Sequence, residues 1–420
     1  MDKYQNYFDG VKYIEGLSNI QRITKKNKHS FSIERTKYFL KLLNNPEKNI
    51  KFIHVTGTSG KGTVCSIIQN NLTAQGFKTG LFISPFVTST VERIQIDGKY
   101  IKPNDFVNIL EKVKPAIDIM FEKCPFGGPI YFEILFAISL IYFKQKECDF
   151  VVLEVGIGGT YDSTNIIENP LVTAITNIDF DHMELLGNTL RKIAIDKSGI
   201  IKKGSQFFTT EKRNNICKVF EEKCRLIGAK YNHIEYENGF DEANKVLAFS
   251  VCESLGLEES KLNIPKRLPA RFEIISKKPM IILDGAHNEA KIRSVIEKLK
   301  KIEYKRLFVL FAISDGKEYK KCLNYLINEA YKITATRYSI LGRKVVNPAE
   351  IIRVIKNNKN KKVLTEIKTD PIKAFQDTVG ALKKGDIFLI TGSFFLTSDI
   401  RKLFVSEVEI LDCADREVSM

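Results

Sequence analysis

Residues His54 to Ser66 read HVTGTSGKGTVCS, and this stretch restricts the possible folds more than any other. Phe52–Val55 before it is an apolar run that reads as a strand. Thr63 to Gln75 after it carries Val64, Ile67, Ile68 and Leu72 at helical spacing, with Gly76 as a stop. A strand that enters a bare glycine loop and leaves as a helix directs backbone N–H groups and the positive end of the helix dipole at one point, which suits a phosphate. Lys61 adds a long cation to neutralise charge, and Thr63 takes the hydroxyl position that ligates Mg²⁺ in many such loops. Gly57, Thr58, Ser59, Gly60, Lys61, Gly62 and Thr63 are therefore expected to hold a nucleoside triphosphate.

The rest of the chain repeats this strand-then-helix rhythm, which predicts an α/β protein with mainly parallel sheets. Thr79–Ser84, Asp149–Val155 and Leu171–Thr176 read as further strands, and residues 94–101 read as a hairpin turning at Asp97-Gly98. The signal weakens from Ile193 to Leu262, and residues 204–240 give no clear reading. At Asn263-Ile264-Pro265-Lys266-Arg267-Leu268-Pro269 the composition changes, and Met280–Asp284, Leu307–Phe311, Thr334–Thr336 and Ile387–Thr391 start a second series of strands. The expected organisation is a phosphate-loop ATPase-like domain over 1–268 and a smaller Rossmann-like α/β domain over 269–420. A chain of 420 residues with 44% apolar content can supply a core for both.

Composition removes other classes. The longest apolar run, Ile134 to Phe143, falls well short of the roughly 20 residues a membrane span needs, and the N-terminal MDKYQNYFDG lacks the apolar core of a leader. Eight scattered cysteines with no Cys-x-x-Cys pair fit a reduced, cytoplasmic setting. The net charge of +15 is spread over short lysine runs such as Lys202-Lys203 and Lys383-Lys384, without a helix-turn-helix, zinc-finger or aromatic RNA-binding signature. It is read as favouring a small polyanionic substrate, with no nucleic-acid or membrane partner and a monomeric state.

Gly57 stands three residues before Gly60, and this short form, Gly-Thr-x-Gly-Lys-x-Thr, resembles the ATP loop of the Mur ligase superfamily. Further stretches, in order, are similar to the folylpolyglutamate synthase and dihydrofolate synthase branch: Ser84-Pro85-Phe86 with Glu92-Arg93-Ile94, Tyr131-Phe132-Glu133, Leu153 to Asn165, Asp181-His182, Asp196 to Ile200, and Asp284-Gly285-Ala286-His287-Asn288. The resemblance covers roughly residues 35–200 and 240–400. It implies an ATP- and Mg²⁺-dependent ligase that phosphorylates a carboxylic acid, such as a folate or dihydropteroate, and lets the amine of L-glutamate displace the phosphate. By the same resemblance Thr63, Ser84, Glu154 and His182 are expected metal ligands, and Lys61, Lys197 and His182 are expected catalytic groups. Lys197 matches a position that the family carbamylates. Asn244, Arg271, Asp284 and His287 are expected to contact the nucleotide. Phe86, Tyr131, Phe132, Glu133, Tyr161, Asp162 and Ser163 are expected on the acceptor side.

The chain departs from the family pattern there. Phe86 replaces a histidine, Thr160 replaces an arginine, residues 204–240 are shorter than the family's segment, the Asp-Lys pair near Asp315 and Lys317 is displaced, and a later Thr-x-Arg-Ala region is only echoed by Arg337 and Arg343. A neutral hydroxyl cannot replace the bidentate donor that an arginine offers. Two readings follow: a folate enzyme with a rebuilt pocket, or a paralogue that joins an amino acid to another acid. A phosphate-loop switch or nucleic-acid motor would require a guanine-specifying Asn-Lys-x-Asp or a water-activating residue after a glycine, and Asn360-Lys361-Lys362 lacks the aspartate.

Overall fold

The computed structural model describes residues 3–23, 29–237, 239–265, 267–338, 344–358 and 363–415. Lys266, Arg343 and Asn360-Lys361-Lys362, named above, lie outside the described residues. The chain forms two compact units, Met1–Pro265 together with Ile410–Met420, and Lys266–Glu409. The end of the chain, placed with the second domain on sequence, thus packs with the first: Tyr4 Oη donates to Asp412 at 2.6 Å, and Lys3 Nζ donates to the same carboxylate at 2.8 Å.

The first unit is built on an eight-stranded sheet of β1 (Phe52–Thr56), β2 (Thr79–Phe82), β3 (Ile94–Ile96), β4 (Lys99–Tyr100), β5 (Phe150–Glu154), β6 (Val172–Ile175), β7 (Gln206–Thr209) and β8 (Lys230–His233), in the order β4-β3-β2-β5-β1-β6-β7-β8. Only β3 runs against the others, pairing antiparallel with both β2 and β4; β3 and β4 make the expected hairpin, with Asp97 at φ 53° and Gly98 at φ 74°. β1 lies centrally between β5 and β6 and is buried along its whole length. The chain leaves β1 for β2 and later returns to insert β5 between them, so the sheet reverses its winding at β1, and the carboxyl ends of strands at such a point are where ligands bind in open α/β sheets. The helix Tyr131–Gln145 holds the longest apolar run, and its Ile134–Leu140 face is buried. No helix among the described residues is long and apolar enough to cross a membrane.

Residues 204–240 continue the sheet. β7 and β8 extend it in parallel beyond β6, joined by the helix Asn214–Ile227, which buries Ile216, Val219, Phe220 and Cys224. That helix follows the 3.6-residue period, whereas β8, half-exposed at the sheet edge, has no buried face to leave a pattern.

The second unit holds β9 (Glu273–Lys277), β10 (Met280–Asp284), β11 (Arg306–Phe311), β12 (Lys332–Ala335), β13 (Leu364–Ile367) and β14 (Asp386–Thr391), ordered β13-β12-β11-β14-β10-β9 with only β9 antiparallel. Apolar clusters fill both faces: Ile282, Val309 and Leu389 on one side, and Leu283, Phe308 and Phe388 on the other.

Candidate active site

The glycine loop follows β1 and ends where the helix Lys61–Ala74 begins. Two glycines are required by the backbone: Gly57 has φ +146° and Gly60 φ +85°, and a Cβ would run into the Thr176 hydroxyl at the first and the Asn244 carboxamide at the second. The approach to Gly60 places Asn244, predicted as a nucleotide contact, directly against the loop. The turn after β6 supports the loop from the other side. Thr58 N donates to Asn177 O at 2.9 Å, Ser59 N to Asn177 Oδ1 at 2.9 Å, and the Thr176 hydroxyl to Ser59 O at 2.6 Å. The Thr58 hydroxyl donates to Asp179 O at 3.1 Å and accepts from Asp179 N at 2.9 Å. Ser59 Oγ, by contrast, is buried with no hydrogen-bond partner.

Two lysines converge on the loop. Lys61 Nζ lies 3.2 Å from Gly57 O and Lys197 Nζ 3.1 Å from the same oxygen. Lys61 is also 4.0 Å from Glu154 Oε1 at the end of β5, and the other oxygen of Glu154 accepts from Ser84 N at 2.8 Å. Four predicted residues from four segments are therefore linked to Gly57, the two lysines directly and Glu154 and Ser84 in series through Lys61. His182 sits in a left-handed conformation at φ 48°, 3.9 Å from Asp181 and 3.7 Å from Glu184. Among the described residues no three His, Cys, Asp or Glu side chains are grouped to hold a metal ion, so the predicted set of Thr63, Ser84, Glu154 and His182 is not a preformed cage. It still suits Mg²⁺, which binds through one or two protein oxygens and keeps the rest of its shell for phosphate and water. The buried Glu154 carboxylate, the orphaned Ser59 hydroxyl and a glycine cradle that a Cβ would fill together fit a metal-bound triphosphate.

On the acceptor side, several of the expected residues have partners within the protein. Glu133 is fully buried, bound bidentately by Arg35 Nε and Nη2 at 2.7 Å each, and also accepts from Ile130 N and the Ser163 hydroxyl. Asp162 accepts from Thr164 N at 3.0 Å, the Thr164 hydroxyl at 2.6 Å and Ile157 N at 2.9 Å. These side chains are engaged within the protein, because a turn leaving a buried strand must satisfy its own backbone. Glu133 from its helix and Asp162 and Ser163 from the turn, all expected on the acceptor side, thus each bond other residues of the protein. Phe132 packs edge-on to Phe82, 5.4 Å between centroids, and against Gly156. Tyr161 is exposed. Phe86 and Tyr131 share a cation: the Arg93 guanidinium lies 5.4 Å from one ring and 5.6 Å from the other. The Thr160 hydroxyl donates to Asp196 O at 2.8 Å, so this substitution is absorbed into the turn.

In the second unit, Arg271 lies 4.0 Å over the Phe394 ring, and His287 meets the same ring edge-on at 5.9 Å. Asp284 ends β10 with one oxygen accepting from Phe272 N and the other from Ala286 N, both at 2.8 Å. The predicted contact Asp284 is thus a buried brace that fixes the segments carrying Arg271 and His287, and burial raises its pKa above the ordinary carboxylate value.

Residues 270–394 match the family model described as Mur ligase, glutamate ligase domain. The chain is 29% identical over 415 residues to the dihydrofolate synthase/folylpolyglutamate synthase of Bacillus subtilis (strain 168), covering 88% of this chain and 94% of that protein. It is 30% identical over 355 residues to the folylpolyglutamate synthase of Lacticaseibacillus casei, covering 75% of this chain and 81% of the relative. The chain belongs to the folylpolyglutamate synthase and dihydrofolate synthase family. The fold agrees: the Mycobacterium tuberculosis folylpolyglutamate synthase complexed with ADP superposes with a TM-score of 0.85 at 21% identity, covering 95% of this chain and 99% of that one.

For a member of this family, sequence reasoning missed Arg35, Phe394, and the support of the loop by Thr176, Asn177 and Asp179. Arg35 is 1% exposed, and an arginine in a helix gives no sequence sign that its partner lies nearly a hundred residues away. Phe394 follows Thr391-Gly392-Ser393 at the end of β14, and this strand-to-glycine transition was the available signal.

Proposed function

We propose that the residues gathered at Gly57 carry out the family's reaction here, the ATP-dependent addition of glutamate to a folate. A carboxylate does not condense with an amine in water because it would have to expel oxide. Transfer of the terminal phosphoryl group of ATP to that carboxylate gives an acyl phosphate and ADP. Attack by the glutamate amine then forms the amide, with release of inorganic phosphate and a proton. Both steps place charge on phosphoryl or tetrahedral oxygens, and preorganised cations stabilise it.

The roles follow the placement. Gly57–Thr63 hold the phosphates, with Asn244 against the loop; Lys61 and Lys197, converging within about one side chain of Gly57, supply positive charge. Thr63, Ser84, Glu154 and His182 would hold Mg²⁺, which supplies further charge neutralisation on the phosphates. Phe86, Arg93 and Tyr131 form a stacked aromatic and cationic group suited to a ring-bearing acid. Arg271, His287 and Phe394 are assigned to the nucleotide. The substrates are small molecules. We assign a monomer acting without nucleic acid, and a cytoplasmic setting, supported by eight cysteines that are all free thiols.

The convergence of Lys61, Glu154, Ser84 and Lys197 on the loop carries this reading. The test is incubation with ATP, Mg²⁺ and glutamate together with either dihydropteroate or tetrahydrofolate, measuring phosphate and product mass. Phosphate released in step with a product one glutamate heavier is expected. Phosphate released only with a non-pterin acid would assign the Thr160 and Phe86 departures to a different acceptor, and ATP turnover that needs no acid would overturn the ligase reading.

A further inference from the structure

We infer that Glu211 and Arg213, from the stretch where the sequence gives no clear reading, are positioning residues for the nucleotide loop. The inference rests on the reading of Gly57–Thr63 as that loop. Glu211 is 4% exposed, just past β7, and its carboxylate grips Arg213 in three ways: Oε1 accepts from Arg213 N at 2.9 Å and from Nε at 2.8 Å, and Oε2 accepts from Nη2 at 2.8 Å. Together the pair holds both polar groups of Ile178. Glu211 Oε2 accepts from Ile178 N at 3.0 Å, and Arg213 Nη2 donates to Ile178 O. Ile178 stands between Asn177 and Asp179, the two residues whose backbone and side chain make four hydrogen bonds with Thr58 and Ser59.

A chain of support therefore runs from an ion pair with a buried carboxylate and a half-exposed guanidinium, through one residue clamped at its N–H and its C=O, to the two loop residues between Gly57 and Gly60. Its strongest bonds are charge-assisted, and a residue held at both backbone groups has little freedom to shift. The backbone that carries Glu211 is anchored as well: its carbonyl oxygen accepts from Cys217 Sγ at 2.8 Å and lies 2.8 Å from His233 Nε2, which ties the pair to the helix and strand that follow. Among the described residues, the side chains of this pair bond Ile178 and each other and not the loop itself. Their action on the phosphates passes through Ile178, and a displacement of well under an ångström there would move the Thr58 and Ser59 amides. Misplacement of about 1 Å by a change remote from the chemistry can cost on the order of a hundredfold.

The test compares Glu211→Gln, Arg213→Ala and Arg213→Lys in the full chain, reading KM for ATP, KM for glutamate and for the folate, ADP affinity by direct titration, and melting temperature. We expect Glu211→Gln and Arg213→Ala to raise KM for ATP and weaken ADP binding about tenfold, to leave the other two KM values within about twofold, and Arg213→Lys to recover part of the loss. A lower melting temperature with unchanged KM for ATP, or an equal rise in all three KM values, would reduce the pair to a general stabiliser and overturn the inference. If Glu211→Gln does not fold, the half-exposed Arg213 variants decide alone. Lys61→Ala separates this from the underlying reading: if it leaves ADP affinity and turnover intact, the loop assignment fails, whereas if it abolishes turnover while the Arg213 variants match wild type, only the positioning role fails.

Discussion

The glycine loop at 57–63 and the turn at 156–165 both leave the carboxyl end of a central strand of the same sheet, and both are rich in small polar residues, yet they use them oppositely. In the first, the loop's own backbone is arranged by others, by Thr176, Asn177, Asp179 and the packed Asn244, while Ser59 Oγ stays without a partner and two lysines gather at Gly57. In the second, Asp162, Ser163 and Thr164 hold the turn itself, with Glu133 and Arg35 beneath them. A polar motif can thus be a ligand's cradle or its own scaffold, and the difference lies in whether its donors and acceptors are already satisfied inside the protein.

The largest effect that separates them is expected at Lys61. Lys61→Ala should cut glutamate-dependent phosphate release about a thousandfold, the upper range for removing one preorganised charge-stabilising group, and leave the melting curve close to wild type. A variant retaining a tenth of the activity would place the transferred phosphate elsewhere. On the scaffold side the loss should appear in stability. Arg35→Met strands the Glu133 carboxylate at zero exposure, and removing one partner of a buried pair costs about 3–5 kcal/mol. Urea unfolding reads it directly. If Arg35→Met, Glu133→Leu together unfolds as readily as the single variant, the uncompensated charge is not the cause.

These predictions also mark what sequence could reveal. The loop was legible because its glycines answer a backbone demand that any reader can place: Gly57 and Gly60 have positive φ, and each would clash with a neighbour if it carried a Cβ. The alternation of β1, β5 and β6 with helices was legible because buried parallel strands are continuous apolar runs. The partners of Glu133 and Asp162 were not, because they are set by the fold: Arg35 lies far upstream, and Asp162 bonds the amides and a hydroxyl of its own turn. The edge strand β8, with residues exposed or half-exposed, has no pattern to read, and Glu211 and Arg213 are two ordinary charged residues until β7 brings them under Ile178.

An intermediate effect is expected from pH. His54 on β1 is completely buried, and burial, with Lys202 as a lesser cause, lowers its pKa from 6.5 to about 3. The Thr164 hydroxyl donates its only hydrogen to Asp162, so its oxygen, 2.8 Å from His54 Nε2, must accept; His54 is therefore neutral with its proton on Nε2. Because the folded pKa lies below the unfolded one, the unfolded chain binds a proton first on acidification, and stability is lost as pH falls from 6.5 towards 3. At pH 5 this amounts to about 2 kcal/mol. His54→Gln retains an N–H donor and cannot ionise, so its unfolding free energy should decline less between pH 7 and 5 by that amount. Parallel declines would mean that His54 already accepts a proton in the fold.

The smallest effect decides between the two uses of polar residues most directly. Sequence places Ser163 on the acceptor side, yet the residue is 3% exposed and its hydroxyl donates to Glu133 Oε1 at 3.1 Å. Ser163→Ala removes one donor from a carboxylate that keeps Arg35 and Ile130, so about 1 kcal/mol of stability should be lost. KM for the folate should stay within about twofold, since no group facing the acceptor is removed. A severalfold rise in that KM with an unchanged unfolding midpoint would turn Ser163 outward in the working enzyme and make the 156–165 turn a cradle like the glycine loop. The same measurement on Tyr161→Phe serves as contrast: Tyr161 is 45% exposed, so any change it causes should appear in KM and leave stability alone.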